Sequence, residues 1–308
     1  MSRLQTRSCK YCNEKRFIRN KIKQISRILT FVLILGNTTS CFQNKPDQDL
    51  RQSITFTIKE ESFEMIFVEG GTFTIGCTDE QGDDCEDNEK PAQEKTLSSF
   101  YMGKYEVTQR LWRAVMGYEF NQSYNSDCEN CPAEYVSWKD VQEFINKLNT
   151  LTDSTFRLPT ETEWEYAARG GKSSKGYKYS GDNNINEVAW YIENYQESKY
   201  GKRGTTHPVG LKKPNELGLY DMSGNVWEWC SNWYTKEYFI NGKRVNPDWP
   251  FPGMPRFFRR VLRGGSWGAD AKGCRVSYID YDTENYRDEY GGFRLVLGSD
   301  SVQINTKH

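Results

Sequence analysis

Gly218-Leu219-Tyr220-Asp221-Met222-Ser223-Gly224-Asn225-Val226-Trp227-Glu228-Trp229 is the stretch on which the reading of this chain turns. Read residue by residue, it is a tight turn whose two acids, Asp221 and Glu228, satisfy backbone donors, followed by core tryptophans. Downstream runs Arg263-Gly264-Gly265-Ser266-Trp267, and eight residues after Ser266 stands one cysteine, Cys274. Five residues before Cys274 the chain has Ala269.

Outward from these segments, the bulk composition sets limits. With 308 residues there is room for one large domain or two small ones. The 9 Trp, 19 Tyr and 16 Phe let a loop-rich domain bury enough area for a core. Residues 1–40 hold nine of the 41 Lys and Arg and one of the 42 Asp and Glu, so residues 41–308 carry 32 against 41, a net charge of about −9. That balance excludes sequence-independent nucleic-acid binding.

The basic head is an address. Lys21, Lys23 and Arg27 precede the apolar run Ile28 to Leu35, and Gly36-Asn37-Thr38-Thr39-Ser40-Cys41 follows. A basic region, a short apolar core and small residues predict an export signal over 1–40, too short to span a bilayer. Thr38-Thr39-Ser40-Cys41 resembles a bacterial lipobox, which makes Cys41 the lipidated first residue of the mature chain. Multiple acyl chains there imply stable membrane attachment. Polar residues 41–60, with Pro46, read as a tether; a domain over 61–300 and a tail over 301–308 complete the organisation.

Within the domain, Phe63 to Ile75 reads as two apolar strands around Gly70-Gly71, a hairpin signal. Three helices are expected. Glu106 to Met116 places Val107, Leu111, Val115 and Met116 along one side. Trp138 to Leu148 follows Ser137 as N-cap, with Val141, Phe144, Ile145 and Leu148 at helical spacing. Thr160 to Arg169 opens on the capping box Thr160-Glu161-Thr162-Glu163. The fold class is α+β, rich in irregular structure, with few short helices and strands.

Six collinear segments resemble the formylglycine-generating enzyme (sulfatase-modifying factor) family across residues 63 to about 298. They are the opening strands, Tyr101 to Thr108, Arg157 to Arg169, Gly218 to Trp229, Arg263 to Trp267, and Gly292-Phe293-Arg294. The resemblance implies one compact domain related to C-type lectin folds. It implies a pocket lined by Trp227 and Ser266 beside Cys274, and a calcium site at Asp221, Gly224, Val226 and Glu228. The authentic enzymes hold copper between two cysteines, and Ala269 stands where the first belongs. Copper(I) favours paired thiolates, so the resemblance with that substitution implies a chain that uses calcium and not copper.

Six cysteines remain in the exported part, an even set. Cys77 and Cys85 flank an acidic loop, Cys128 and Cys131 form a local pair, and Cys230 with Cys274 is the pairing left over. Sequence does not settle the connectivity. The two histidines, His207 and His308, have no metal-site spacing; a structural role is favoured for His207, while a Ser266–His207 triad stays open. The function expected is a lipid-anchored binding or assembly module of the cell envelope, at the outer membrane or periplasmic face, taking a peptide, glycan or protein partner. The alternative is a formylglycine-generating oxidase acting on a sulfatase cysteine. An iron-dependent oxygenase is a third reading, disfavoured because no histidine cluster exists.

Overall fold

A computed structural model describes residues 52–117, 123–195, 204–234 and 259–301, with the short strands Phe239–Ile240 and Lys243–Arg244. The signal, Cys41 and most of the tail lie outside the described residues. In chain order the strands are β1 (Ser53–Ile58), β2 (Glu61–Val68), β3 (Thr72–Ile75), β4 (Gln93–Thr96), β5 (Phe100–Gly103), β6 (Trp227–Tyr234), β7 (Phe239–Ile240), β8 (Lys243–Arg244), β9 (Arg259–Arg263), β10 (Ile279–Thr283), β11 (Gly291–Gly292) and β12 (Val296–Gly298). The helices are α1 (Gln109–Met116), α2 (Trp138–Thr152), α3 (Glu161–Ala168) and the single turn α4 (Ile185–Val188).

Two four-stranded sheets carry the domain, in the orders β1-β2-β5-β12 and β10-β9-β6-β11. The first is antiparallel throughout and joins the two ends of the described chain. The second mixes antiparallel pairs with a parallel β6–β11 step, Gly291 opposite Trp227. This is the α+β class expected from the scattered short elements.

Two expectations are corrected. Residues 53–58 form β1 and pair with β2, so the tether does not extend to residue 60. Ile54, Phe56 and Ile58 alternate with Thr55 and Thr57, a strand period that the polar surroundings masked. The Phe56 ring stacks on Phe63 at 5.5 Å and meets Phe156 edge-on at 4.9 Å. Nor do β2 and β3 pair across Gly70-Gly71; β3 turns away to pair with β4. Those glycines serve close approach, since a Cβ on Gly70 would lie 2.4 Å from the Leu97 carbonyl oxygen.

The helices start where their caps say. Thr108 Oγ1 accepts from the Leu111 amide at 3.2 Å, so α1 opens at Gln109, three residues later than expected. Ser137 with Asp140, and Thr160 with Glu163, form reciprocal capping boxes. The main core packs Trp112, Phe144 and Phe293 between α1, α2 and the first sheet. A second core gathers Trp164, Phe100, Val261 and Cys230 around α3. A small third cluster holds Cys274.

Candidate functional site

The turn 221–225 is built from left-handed backbone. Asp221 has φ 57°, Gly224 φ 81° and Asn225 φ 63°. Gly224 is required there, because a Cβ would sit 2.2 Å from the Trp190 carbonyl oxygen. Asn225 is the hub. Its amide donates to Trp190 O at 2.9 Å, its Oδ1 accepts from the His207 amide at 3.0 Å, and its Nδ2 donates to Glu106 Oε2 at 2.9 Å. Asp221 Oδ2 accepts from the Gly210 amide at 2.7 Å.

Two carboxylate oxygens at this turn have nothing to bond. Asp221 is 3% exposed and Glu106 2% exposed, and Oδ1 of the first and Oε1 of the second are buried without a partner. Burial pushes the Asp221 carboxyl up to about 6, and burial followed by the Asp221 charge pushes Glu106 well above the usual carboxylate range. Glu228 differs. Arg294 donates to its Oε1 at 2.5 Å and its Oε2 at 2.6 Å, and Trp164 Nε1 donates to Oε2 at 2.6 Å. Unpaired buried carboxylate oxygens of this kind fit a hard cation, and Asp221 sits where the calcium reading requires one. No group of three or more His, Cys, Asp or Glu side chains is spaced to hold a metal among the described residues.

The Ser266–Cys274 pocket is different in kind. The Gly264-Gly265 turn lets the chain wrap Cys274, since a Cβ on Gly265 would lie 2.6 Å from its sulfur. Ser223 Oγ donates to the Cys274 carbonyl at 2.9 Å, and Ser266 Oγ accepts from the Gly268 amide at 3.3 Å. The Cys274 side chain packs with Tyr179, Ile185, Val188, Ala189 and Tyr191, and Ala269 lies against the same cluster. Burial, and then the Asp270 charge, pushes its thiol far up. The neutral thiol is the stable form, a poor nucleophile and a poor metal ligand.

The expected Cys230–Cys274 disulfide is not formed; both sulfurs are reduced and buried. Cys230 faces the core around α3, with Trp164 and Val261, while Cys274 faces the Tyr179 cluster. Neighbouring motifs put the two residues close in the sequence pattern, but strand alternation in β6 turns Cys230 to another side. Cys77–Cys85 and Cys128–Cys131 are disulfides. Arg275 donates to both oxygens of Glu89, at 2.7 and 2.8 Å, and to the Asp84 carbonyl at 3.1 Å, and so ties the Cys77–Cys85 loop and the turn after it to the Cys274 segment.

Trp227 lines a cavity whose lining does not include Ser266. Its ring meets Tyr278 at 5.9 Å, and it shares that cavity, of about 160 Å³, with Trp229, Tyr286, Tyr290, Asp280, Asp282 and Asp288. Burial raises the carboxyls of Asp280 and Asp288, and the Asp288 charge pushes the Tyr286 phenol up to about 12. The cavity is acidic and aromatic together, a combination that receives cations. Asp280 and Asp282 reach it from β10, whereas Asp288, Tyr286 and Tyr290 were missed, because they reach the cavity from a loop. Glu106 was missed as well. Placed at the expected start of α1, it read as a helix-terminal acid, whereas the late cap turns it inward. His207 stacks on Trp190 at 3.8 Å, with burial pushing its ring down to about 4; its backbone amide donates to Asn225 Oδ1, and its ring Nδ1 is buried without a partner. That supports the structural role.

Comparison with known proteins agrees with this fold. The family model described as the sulfatase-modifying factor enzyme 1-like domain matches residues 52–298. The chaperone protein LppX of Paenibacillus barcinonensis is 34% identical over 260 residues, covering 70% of this chain and 83% of that one. The formylglycine-generating enzyme of Streptomyces coelicolor is 34% identical over 181 residues, 56% of this chain and 54% of its own length. Among solved structures, Treponema denticola variable protein 1 superposes with a TM-score of 0.62 at 31% identity, over 80% of this chain and 99% of that one.

Proposed function

We propose that this chain, which belongs to the sulfatase-modifying factor enzyme 1-like family, is a binding and assembly module of the cell envelope and not a copper oxidase. The observation that carries the reading is the surroundings of Cys274. The resemblance places a second thiolate at residue 269, and the methyl of Ala269 fills that space against the Cys274 cluster. Cys230 belongs to a different core and offers no substitute. A soft cation needs paired sulfur donors, and one neutral buried thiol is a weak site. The two disulfides fit an oxidising, exported setting. Lipidation at Cys41 would hold the domain at the membrane surface.

The binding surface in this reading is the cavity under Trp227. Asp280, Asp282 and Asp288 beside Trp227, Tyr286 and Tyr290 suit a basic side chain on a peptide or protein partner. The relative named as a chaperone protein supports a role in holding another polypeptide. Calcium is the proposed resident ion, with Asp221 and the main-chain oxygens of Gly224 and Val226 among its ligands. When bound it supplies charge compensation to the turn that carries β6.

Anaerobic copper(I) titration of the purified domain tests the reading. Absence of tight one-to-one binding is expected. Tight binding abolished by Cys274→Ala would restore the alternative, a formylglycine-generating oxidase.

A further inference from the structure

The second sheet ends on β10, and among the described residues no strand pairs with its outer side. Register sets what faces where. Asp280 lies opposite Leu262 of β9, and Leu262 opposite Trp229 of β6, so acid, leucine and indole form one row across the sheet. Asp282 follows two residues on, at the strand period that returns a side chain to the same face. Both aspartates therefore stand over the cavity beside Trp227, with Asp288 reaching it from the loop. No Lys or Arg is among the residues that line it.

The outer edge of β10 is blunted by its own side chains. Tyr281 donates its amide to Asp280 Oδ1 at 2.8 Å, and Thr283 donates its amide to Asp282 Oδ1 at 2.6 Å. The Ile279 carbonyl accepts from Asn88 Nδ2 at 3.4 Å, and the Thr283 carbonyl from the Tyr286 amide at 3.0 Å. Residues 279, 281 and 283 thus turn their peptide groups away from β9, as alternation in an antiparallel ladder requires. A bare edge invites any passing strand, and inward-leaning charges guard against that. Here the guards can also recognise: a carboxylate that turns to a cation lets go of the amide beside it.

We propose that the outer edge of β10 docks an extended segment of a partner polypeptide that carries basic residues two positions apart. The proposal rests on the binding-module reading and gives the partner's chemistry and pose. The two basic side chains lie beside Asp280 and Asp282, an opposite-charge pairing across strands on one face. The residue between them sits opposite Tyr281, and its amide and carbonyl pair with the Tyr281 carbonyl and amide. Trp227, Tyr286 and the third acid, Asp288, take the cationic head groups. A segment without the basic pair leaves both amides capped and is refused.

Dye-labelled synthetic peptides, titrated with the full chain at low salt and read by fluorescence anisotropy, test this. Thr-Arg-Val-Arg-Thr is expected to bind about 10-fold more tightly than Thr-Arg-Arg-Val-Thr, which has the same charge without the alternation. N-methylation of the central Val is expected to cost about 10-fold, because that amide faces β10. N-methylation of the first Arg, whose amide faces outward, is expected to cost less than about threefold. Replacing Asp280→Asn together with Asp282→Asn is expected to erase the preference for the alternating sequence. Should that double variant not fold, the N-methylated peptides on wild type decide. Equal binding of the two basic sequences, with equal loss from either methylation, leaves the acidic cavity as a partner site and overturns the docking edge. Failure of every basic peptide to bind overturns the edge and the cavity reading together.

Discussion

The two halves of the site stretch bury their polar groups in opposite ways. Around Ser266 and Cys274 the hydroxyls and backbone groups find partners, and the thiol rests neutral among tyrosines and aliphatics. Around Asp221 and Glu106, carboxylate oxygens are buried with nothing to accept. A packed, satisfied pocket leaves no polar group open; a buried carboxyl with an empty lone pair does, and its desolvation is offset by nothing in the protein. The segment that the resemblance links to chemistry is here tightly packed, and the segment it links to structure carries the unpaired acids.

The largest expected effect tests what satisfaction is worth. Arg294→Leu leaves Glu228 buried and unpaired, and is expected to lower stability by about 3–5 kcal/mol in denaturant titrations. Loss of less than half that would show that the pairing contrast means little here.

A third unpaired acid sharpens the contrast through pH. Glu134 is buried, one of its oxygens has no partner, and burial pushes it from 4.5 to about 7. A carboxyl raised on folding holds its proton more tightly in the native state. Its contribution is thus fully present below about 4.5 and is lost as pH climbs through about 7. Stability is expected to fall by on the order of 3 kcal/mol between those limits, and Glu134→Gln to flatten the slope. A wild-type profile unchanged by that substitution would remove Glu134 from the account.

The Cys77–Cys85 loop spans eight residues. Replacing both by Ala is expected to destabilise by about 2.5 kcal/mol through freed loop entropy. The loss is expected to propagate, since Glu89 in the adjoining turn holds Arg275 next to Cys274; faster alkylation of Cys274 in the double variant would report it. Smallest is Cys274→Ala itself, expected to cost about 1 kcal/mol as a minor cavity and to leave calcium binding unchanged. Any loss of calcium binding there would break the separation between the two halves.

Much of this was legible beforehand. The helix of Trp138 onward, its Ser137 cap, the capping box at Thr160 and both local disulfides follow from spacings within a few residues. The copper question also turned on one position, Ala269. Less legible were the face to which β6 turns Cys230, and the role of Glu106, whose direction depends on Thr108 capping α1 three residues late.

From its sequence alone this chain determined its family, its fold class and the absence of a second thiol at residue 269, because those reside in residue identities and short-range order. Only the tertiary structure decided which of three acids Arg294 neutralises, that Cys230 and Cys274 never meet, and that Asp280, Asp282 and Asp288 share one cavity with Trp227. Partnership among buried charges depends on which side chains converge from distant segments, and nothing in local spacing encodes that convergence.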